Sequence, residues 1–377
     1  MRLTGSLRRA SVIWPLLAPS EYLEHTLKTP SQPRKRITPF KPVKRITPTG
    51  KSELWSCYYD PSGVVSERLS RKEITNAIDS GEGTLWVDID TRIPEQVELL
   101  KGVFNFHPLA REDALNPESR VKLEEYDKYL LLIVRTVAFV EETEDPYDLE
   151  TVNITFFLGR NYVVSVHGAD TTPVDNIADL LRRKPELAAR GAGRLMHAIV
   201  DQAVDAYFPI IDKLDEFMDG LEERIFASFD QSSLRDVFAV KRLVLTLRRH
   251  LAPQRDAFNV LTNRPSTLIA HETQIYFRDI HDHVLRIYDS LETYRDLLSS
   301  TMDSYLTQVS NRLGMATKAL GVVATFTLPF VVVSGMWGMN FDRIPLASHP
   351  YGFLILLLGQ LALGLAILAG LKWRNLL

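Results

Sequence analysis

The chain has 377 residues, of which 45% are hydrophobic and 24% charged, proportions that are ordinary for a globular protein. Its single cysteine, Cys57, excludes an internal disulfide and any metal site built from several thiolates. The formal net charge of −3 is uneven, because residues 1–50 carry ten Lys and Arg against two Glu, which leaves −11 for the rest. The sequence contains no Walker A motif, which disfavours ATP-driven pumping, and no nucleophile–base arrangement typical of an enzyme stands out.

The first 52 residues are basic and rich in proline. The pentapeptide KRITP occurs twice, at Lys35–Pro39 and Lys44–Pro48. Such a composition predicts a disordered, solvated tail over residues 1–52. Two alternatives remain open at this point: an organelle transit peptide, and contact with anionic lipid head groups.

Residues 53–170 have the pattern of a cytoplasmic α/β sheet domain. Runs rich in β-branched and aromatic residues, bounded by Asp, Gly, Asn and Pro, predict strands at Trp55–Tyr59, Thr84–Ile89, Tyr129–Val140 and Val152–Val166. Short helices are predicted between them, at Lys72–Ser80 and Pro94–Phe104.

A cytoplasmic helical region follows at residues 171–270. We predict a short helix over Asp175–Ala189, a long one over Arg194–Ser228 and another over Ser232–Thr262. Residues 53–270 are therefore predicted to form an α+β domain, a sheet followed by an antiparallel set of helices.

Residues 271–318 are predicted to form a long stalk helix with a heptad seam. Apolar residues recur at alternating spacings of four and three at Ile280, Val284, Ile287, Leu291, Tyr294, Leu298, Met302, Leu306, Val309 and Leu313. A single helix from about Thr273 to Trp337 would be ~95 Å long at 1.5 Å per residue. Because one small domain cannot bury so long a seam, the pattern indicates self-association.

Two segments near the C-terminus are long and apolar enough to cross a bilayer. Residues 319–337 carry no charge, and residues 352–371 have Gln360 as their only strongly polar side chain. The basic residues that flank them, Arg312, Lys318, Lys372 and Arg374, place both termini in the cytoplasm by the positive-inside rule. Residues 338–351 would then be an outer loop and residues 372–377 a basic cytoplasmic tail. A buried hairpin in a soluble core is the alternative.

The outer loop begins with Gly338-Met339-Asn340, directly after the first predicted span. The chain resembles the CorA family of magnesium transport proteins in this tripeptide. It also shares with that family Pro329 in the first span, the basic C-terminal end, and the stretches His107-Pro108-Leu109 and Glu112-Asp113. The resemblance covers roughly residues 53–377. It implies a homopentamer around a central pore lined by the first span, with Gly338, Met339 and Asn340 as the selectivity element. A helix C-cap is the alternative role for Asn340.

The resemblance also implies a pore face on the first span. Residues at steps of three or four share one stripe and match this face by position: Gly314, Thr317, Leu320, Ala324, Leu328, Val331 and Gly335. Ordinary helix–helix contact between small residues in the membrane is the alternative. Many family members have an asparagine where Gly314 stands, and often more than one acidic residue in the outer loop, which here has only Asp342.

In the family, Mg²⁺ held by carboxylates between subunits keeps the pore shut. The matching positions here are Glu112, Asp113 and Asp279, with Asp303 as a further candidate. Each is alternatively a solvated acid on a helix surface. Asp279 and His283 stand four residues apart and could also form a metal pair better suited to Zn²⁺ or Ni²⁺ than to Mg²⁺.

The function expected from the resemblance is channel-like uptake of hydrated Mg²⁺, with Co²⁺ or Ni²⁺ as further cations. Mg²⁺ is both the cargo and the regulatory ion, and the expected partners are divalent metal ions, the lipid bilayer and other copies of the chain, but not nucleic acid. The expected location is a cell (inner) membrane. A Zn²⁺ transporter of the ZntB type shares the architecture, although Met339 argues against that branch, and a non-transporting scaffold or sensor is a third reading.

Overall fold

The computed structural model describes residues 53–139, 149–227, 231–264, 266–339, 345–346 and 348–373. The predicted tail at residues 1–52 lies outside them, as do Asn340 and the last residues of the C-terminal basic segment. Within the described residues the chain forms a seven-stranded sheet, a set of helices packed on it, and two long C-terminal helices.

The sheet is mostly antiparallel, with one parallel pair at its centre. Its strands are β1 (Trp55–Tyr59), β2 (Val65–Glu67), β3 (Thr84–Asp90), β4 (Lys122–Glu125), β5 (Leu130–Phe139), β6 (Leu149–Leu158) and β7 (Tyr162–His167). The order is β2-β1-β3-β7-β6-β5-β4, and only β3 and β7 run parallel. Every residue of these two strands is buried, as expected for a parallel pair that is covered on both faces.

Helices cover both faces of the sheet. On one face lie α1 (Arg71–Ser80), α2 (Pro94–Gly102) and α3 (Pro108–Leu115). On the other face lie α4 (Thr172–Arg183), a 3₁₀ helix (Pro185–Arg190), α5 (Ala192–Asp205), α6 (Phe208–Ala227) and α7 (Gln231–Asn263). Alternate strand residues supply the two cores, so that Trp86 points to the second face and Leu85 to the first.

Three predicted elements are wrong in extent, each because a local break was missed. The run Val152–Val166 is two strands, β6 and β7, joined by a turn at Gly159, where a Cβ atom would lie 2.2 Å from the Tyr162 ring. The helix predicted over Arg194–Ser228 is two helices, because Pro209 has no N–H to continue a helix from α5. The helix predicted over Asp175–Ala189 ends at Arg183, because Pro185 disfavours helical backbone at the preceding residue.

The predicted stalk is the long helix α8 (His271–Trp337), whose 67 residues correspond to ~100 Å at 1.5 Å per residue. Pro329 is accommodated within it. The first six members of the heptad seam, from Ile280 to Leu298, are buried in the same core as α7. The expectation that the seam is buried only by self-association is therefore wrong for these first six residues. Leu306, Val309 and Leu313, which follow these residues along α8, remain exposed.

The end of α8 and the last helix, α9 (Gly352–Trp373), are both long and apolar enough to cross a membrane. The most apolar stretch of α8 is 0% buried within the chain and that of α9 is 11% buried. A hairpin buried in a soluble core would hide these side chains, so that alternative is wrong. The two helices pack through Gly364, whose missing Cβ would lie 2.8 Å from the Phe326 ring.

Candidate ion pathway and carboxylate sites

The first predicted site lies at the outer end of α8. The helix ends at Trp337, and the C-cap is Gly338, whose N–H donates to the carbonyl of Ser334 at 3.0 Å. Trp337 Nε1 donates to the carbonyl of Pro345 at 3.2 Å, which ties the helix end to the following segment. Met339 is exposed. Gly338 thus caps the C-terminal end of α8, and both predicted roles of Asn340, which lies outside the described residues, stay predictions.

The predicted pore stripe faces away from the rest of the chain. Leu320 and Leu328 are 71% and 65% exposed, and no atom lies within 4 Å of a Cβ added at Gly314 or Gly335. The stripe residues Thr317, Ala324 and Val331 are exposed too. Helix α9 instead packs on Phe326 and Phe330. Each of these residues is two positions from Leu328, which places it about 200° from Leu328 around the helix axis, on the side opposite the stripe. The stripe is therefore an apolar surface that no other described part of the same protomer covers.

The candidate carboxylates on α3 have different surroundings. Helix α3 starts after His107, whose Nδ1 accepts a hydrogen bond from the N–H of Leu109. Glu112 is exposed, whereas the carboxylate of Asp113 forms an ion pair with Lys122, whose Nζ lies 2.7 Å away. Burial opposes the charge of Lys122, but hydrogen bonds to Asp113 and Glu124 outweigh it and raise the pKa of that amine.

Asp279 lies near the start of α8 and belongs to a larger group of ionisable residues. His283 stands between two carboxylates, with Nε2 3.9 Å from Asp279 and Nδ1 3.9 Å from Asp205. Ligand atoms of Asp201, Asp205 and His283 all lie within 4.8 Å of one another. The predicted Asp279–His283 pair is therefore extended by two carboxylates of α5. Asp303, in contrast, is exposed further down α8.

Asp201, Asp205, Asp279 and His283, called here the α5–α8 carboxylate group, include two carboxyl groups whose pKa values are raised. Burial raises the pKa of Asp201, and the negative charge of Asp205 raises it further. Burial likewise raises the pKa of Asp205; His283 opposes this shift, and the charge of Asp279 adds to it. A divalent cation would offset the mutual repulsion. Sequence reasoning missed Asp201 and Asp205, although their spacing of four residues places both on one face of a helix.

Together, a covered α/β domain, a helix running unbroken from a carboxylate group to an apolar exposed stripe, and a second apolar helix define a membrane transport protein. Comparison with known proteins places it within that class. Residues 81–372 match the family model described as CorA-like Mg2+ transporter protein, so the chain belongs to the CorA-like family. Members of this family are divalent-cation transporters and not enzymes, as the sequence predicted.

Individual relatives agree with this assignment. The chain is 33% identical over 286 residues to YfjQ of Bacillus subtilis, covering 75% of this chain and 88% of that protein. It is 28% identical to the cobalt/magnesium transport protein CorA of Thermotoga maritima, covering 72% and 77%. The solved structure of the CorA magnesium transporter from Methanocaldococcus jannaschii matches with a TM-score of 0.72 at 20% identity, covering 86% of this chain and 98% of that one. The predicted fold class is thereby confirmed.

Proposed function

We propose that the chain assembles as a homopentamer and takes up hydrated Mg²⁺ through a central pore, with Co²⁺ and Ni²⁺ as further cargo. The observation that carries the proposal is the single helix α8, which joins Asp279 to the Gly338-Met339-Asn340 exit and bears an exposed apolar stripe. The relative from Thermotoga maritima is named as a cobalt/magnesium transport protein. A Zn²⁺ transporter of the ZntB type is the alternative, since the cytoplasmic domain of such a protein has a related fold, with a TM-score of 0.50.

Selectivity is proposed to reside in a ring of Asn340 amides. Mg²⁺ prefers octahedral oxygen ligands and gives up its waters reluctantly. Amide oxygens around the pore axis can accept hydrogen bonds from the intact hydration shell, so the ion is recognised without dehydration. Support comes from the position of the tripeptide, which begins at Gly338, the C-cap of α8.

The gate is proposed to be the stripe on α8. Rings of Leu320 and Leu328 would narrow the pore with apolar side chains and close it by excluding water. Thr317, Ala324 and Val331 line the remaining wall, with Gly314 and Gly335 at its two ends. Gly314 gives no polar ring at the inner end, so the gate depends on apolar side chains alone.

Regulation is proposed to act through carboxylates near the N-terminal end of the stalk helix α8. Mg²⁺ bound between Asp113 of one subunit and Asp279 of the next would hold the subunits together and the pore shut. Loss of the ion restores carboxylate repulsion, and the subunits move apart. Glu112 and Asp303 are further candidates. The repulsion within the α5–α8 carboxylate group supports this proposal, because it gives a cation a reason to bind beside Asp279.

The driving force is proposed to be the potential across a cell (inner) membrane, with both termini in the cytoplasm. Arg312 and Lys318 precede the first span and Lys372 follows the second, which supports this orientation. A potential of −100 mV favours entry of a doubly charged ion by about 4.6 kcal/mol, so uptake needs no coupled gradient.

The test is a flux assay in proteoliposomes with Mg²⁺, Co²⁺, Ni²⁺ and Zn²⁺ offered separately under an imposed potential. We expect Mg²⁺ flux in the wild type and its loss in Asn340→Ala, with the pentamer intact by size. Asn76→Ala, the same change at an exposed position of α1, is the control. Preferred flux of Zn²⁺ would favour the ZntB-type alternative, and undiminished Mg²⁺ flux in Asn340→Ala would exclude the selectivity ring.

A further inference from the structure

Arg135, on β5, joins three separate parts of the cytoplasmic domain through one side chain. Its Nε donates to Asn153 Oδ1 on β6 at 2.7 Å. One terminal nitrogen lies 2.9 Å from Nδ1 of His250 on α7, and the other donates to the carbonyl of Ser119 at 3.2 Å. Each nitrogen of the guanidinium therefore has its own partner on a different segment.

The Ser119 segment follows the helix that carries the candidate carboxylates. Helix α3 ends at Leu115, and residues 117–119 come directly after it. Asn153 Nδ2 donates to the carbonyls of Pro117 at 3.0 Å and Ser119 at 2.8 Å, so Arg135 and Asn153 hold this segment jointly. The chain between Asp113 and β4 is thereby fixed to the sheet.

The backbone of Arg135 is attached to the helical layer. Strand β4 begins at Lys122, opposite Ile133, so among the described residues no strand of this sheet lies beside Arg135 on that edge of β5. Its N–H donates to Gln254 Oε1 at 3.1 Å, and its carbonyl accepts from the Tyr207 hydroxyl at 2.9 Å. Gln254 Nε2 in turn donates to that hydroxyl at 3.1 Å, and both side chains are fully buried.

His250 completes the link as an acceptor. Burial, together with the positive charge of Arg135, lowers the pKa of His250 to about 4. The ring is therefore neutral at cytoplasmic pH, and its Nδ1 can accept the hydrogen bond from Arg135. Arg135 thus holds α7 with its side chain at His250 and its backbone at Gln254.

Helix α7 is in turn bound to the stalk. Arg248 Nε donates to the Tyr288 hydroxyl at 3.2 Å and forms an ion pair with Glu292, both on α8. Leu247 and Leu251 are fully buried in the core that α7 shares with the seam of α8. An unbroken series of contacts therefore runs from the segment after Asp113, through Arg135, to the helix that enters the membrane.

We propose that Arg135 is a positioning residue that couples the Asp113 region to the stalk, so that an ion bound at Asp113 acts on the pore. The inference rests on the proposed inhibition by cytoplasmic Mg²⁺. Arginine suits the role because its planar fork reaches three acceptors at once, which a lysine ammonium on a flexible stem cannot do with the same geometry. Such coupling is measured as a shift in the response of flux to the ion.

The experiment measures Mg²⁺ flux in proteoliposomes at a series of Mg²⁺ concentrations on the cytoplasmic side. Variants are Arg135→Gln, the milder Asn153→Ala and their combination. The control is Arg120→Gln, which removes the same charge from an exposed residue next to Ser119. Flux is normalised to assembled protein, so that a loss of folded material does not alter the half-inhibitory concentration.

We expect Arg135→Gln to raise the half-inhibitory Mg²⁺ concentration at least about threefold, with maximal flux unchanged and Arg120→Gln like the wild type. Asn153→Ala should shift it in the same direction, and the double variant by less than the product of the two, because both side chains hold Ser119. If neither variant shifts the concentration, the network is only structural and the inference is overturned. Wild-type flux that is indifferent to internal Mg²⁺ would overturn the proposed inhibition itself and this inference with it.

Discussion

The ammonium of Lys122 lies 2.7 Å from a carboxylate oxygen of Asp113. Lys122 also forms an ion pair with Glu124 at 2.8 Å, so its charge is shared between Asp113 on α3 and Glu124 on β4. Asp113 therefore already has a cationic partner within its protomer. A divalent cation that binds this carboxylate must displace the lysine or share the oxygens with it, and Lys122 competes with the proposed regulatory ion.

Replacing Lys122 with Gln should increase sensitivity to inhibition. Loss of the competing charge leaves Asp113 free, so the half-inhibitory concentration of cytoplasmic Mg²⁺ should fall several-fold. Asp113→Asn together with Asp279→Asn should raise it and should abolish protection of the stalk from protease by Mg²⁺. Lys128→Gln, a matched loss of charge at an exposed site, is the control. An unchanged inhibition curve in Lys122→Gln would show that Asp113 does not take part in sensing.

The raised pKa of Asp201 in the α5–α8 carboxylate group predicts how the stability of the protein depends on pH and on bound metal. Because the pKa of Asp201 is raised by folding, its ionised form disfavours the native state, and the stability that the protonated form provides is lost as pH rises. Asp201→Asn should therefore increase the metal-free melting temperature at pH 7.5 by a few degrees. The same variant should show a smaller stabilisation by added Mg²⁺ or Co²⁺, because one ligand is gone.

Melting of the detergent-purified protein, with and without the metal, measures both effects. Asp212→Asn, at an exposed position of α6, is the control. A metal-induced increase as large in Asp201→Asn as in the wild type would mean that the cation binds elsewhere. A lower metal-free melting temperature would mean that the carboxylate stabilises the native state through its neighbours.

Much of the fold was predictable because burial leaves a pattern in the sequence. The central strands and α8 combine long apolar runs with clear periodicity, and the prediction for β1 agrees with its observed bounds. Strands β2 and β4 were missed because both are short and neither contains a fully buried residue, so that Val65–Glu67 and Lys122–Glu125 show no apolar run. Helix α3 was missed because eight residues are too few for a clear period.

The sequence could suggest candidate site residues only where a motif lies within one segment, and their roles stay predictions. Gly338 to Asn340 and the stripe on α8 are local patterns, and Asp113 and Asp279 followed from family resemblance. The partners of these residues were not predictable, because they depend on tertiary contacts. Lys122 meets Asp113 only after α3 and β4 come together, and Asp205 meets His283 only when α5 packs against α8.

His197 makes a prediction about acid stability. Burial lowers the pKa of His197 to about 4, and the charge of Arg194 contributes as well. Since the unfolded chain binds a proton near pH 6.5 and the native state does not, stability should fall as pH decreases from about 6.5 to about 4. His197→Gln keeps a donor for the carbonyl of Tyr276 and should lose about 1–2 kcal/mol less over that range. Equal pH dependence of melting in the two proteins would show that His197 is not responsible.

The packing of α9 on α8 depends on a missing side chain at Gly364. A Cβ there would lie 2.8 Å from the Phe326 ring and 3.2 Å from the Phe330 ring, closer than packed side chains allow. Gly364→Val should therefore force the two helices apart and lower the melting temperature and the yield of assembled protein. Association of helices in lipid depends on such close packing, since no hydrophobic effect drives it there.

Gly359 and Gly370 supply matched controls on the same helix. No atom lies within 4 Å of a Cβ added at either position, so Gly359→Val and Gly370→Val should leave assembly close to that of the wild type. The readouts are size-exclusion profile and melting temperature in detergent, followed by Mg²⁺ flux. Equal loss in all three variants would indicate a general intolerance of α9 to β-branched residues. Loss in Gly364→Val alone, rescued by Phe326→Ala, would establish that these two residues set the distance between the helices.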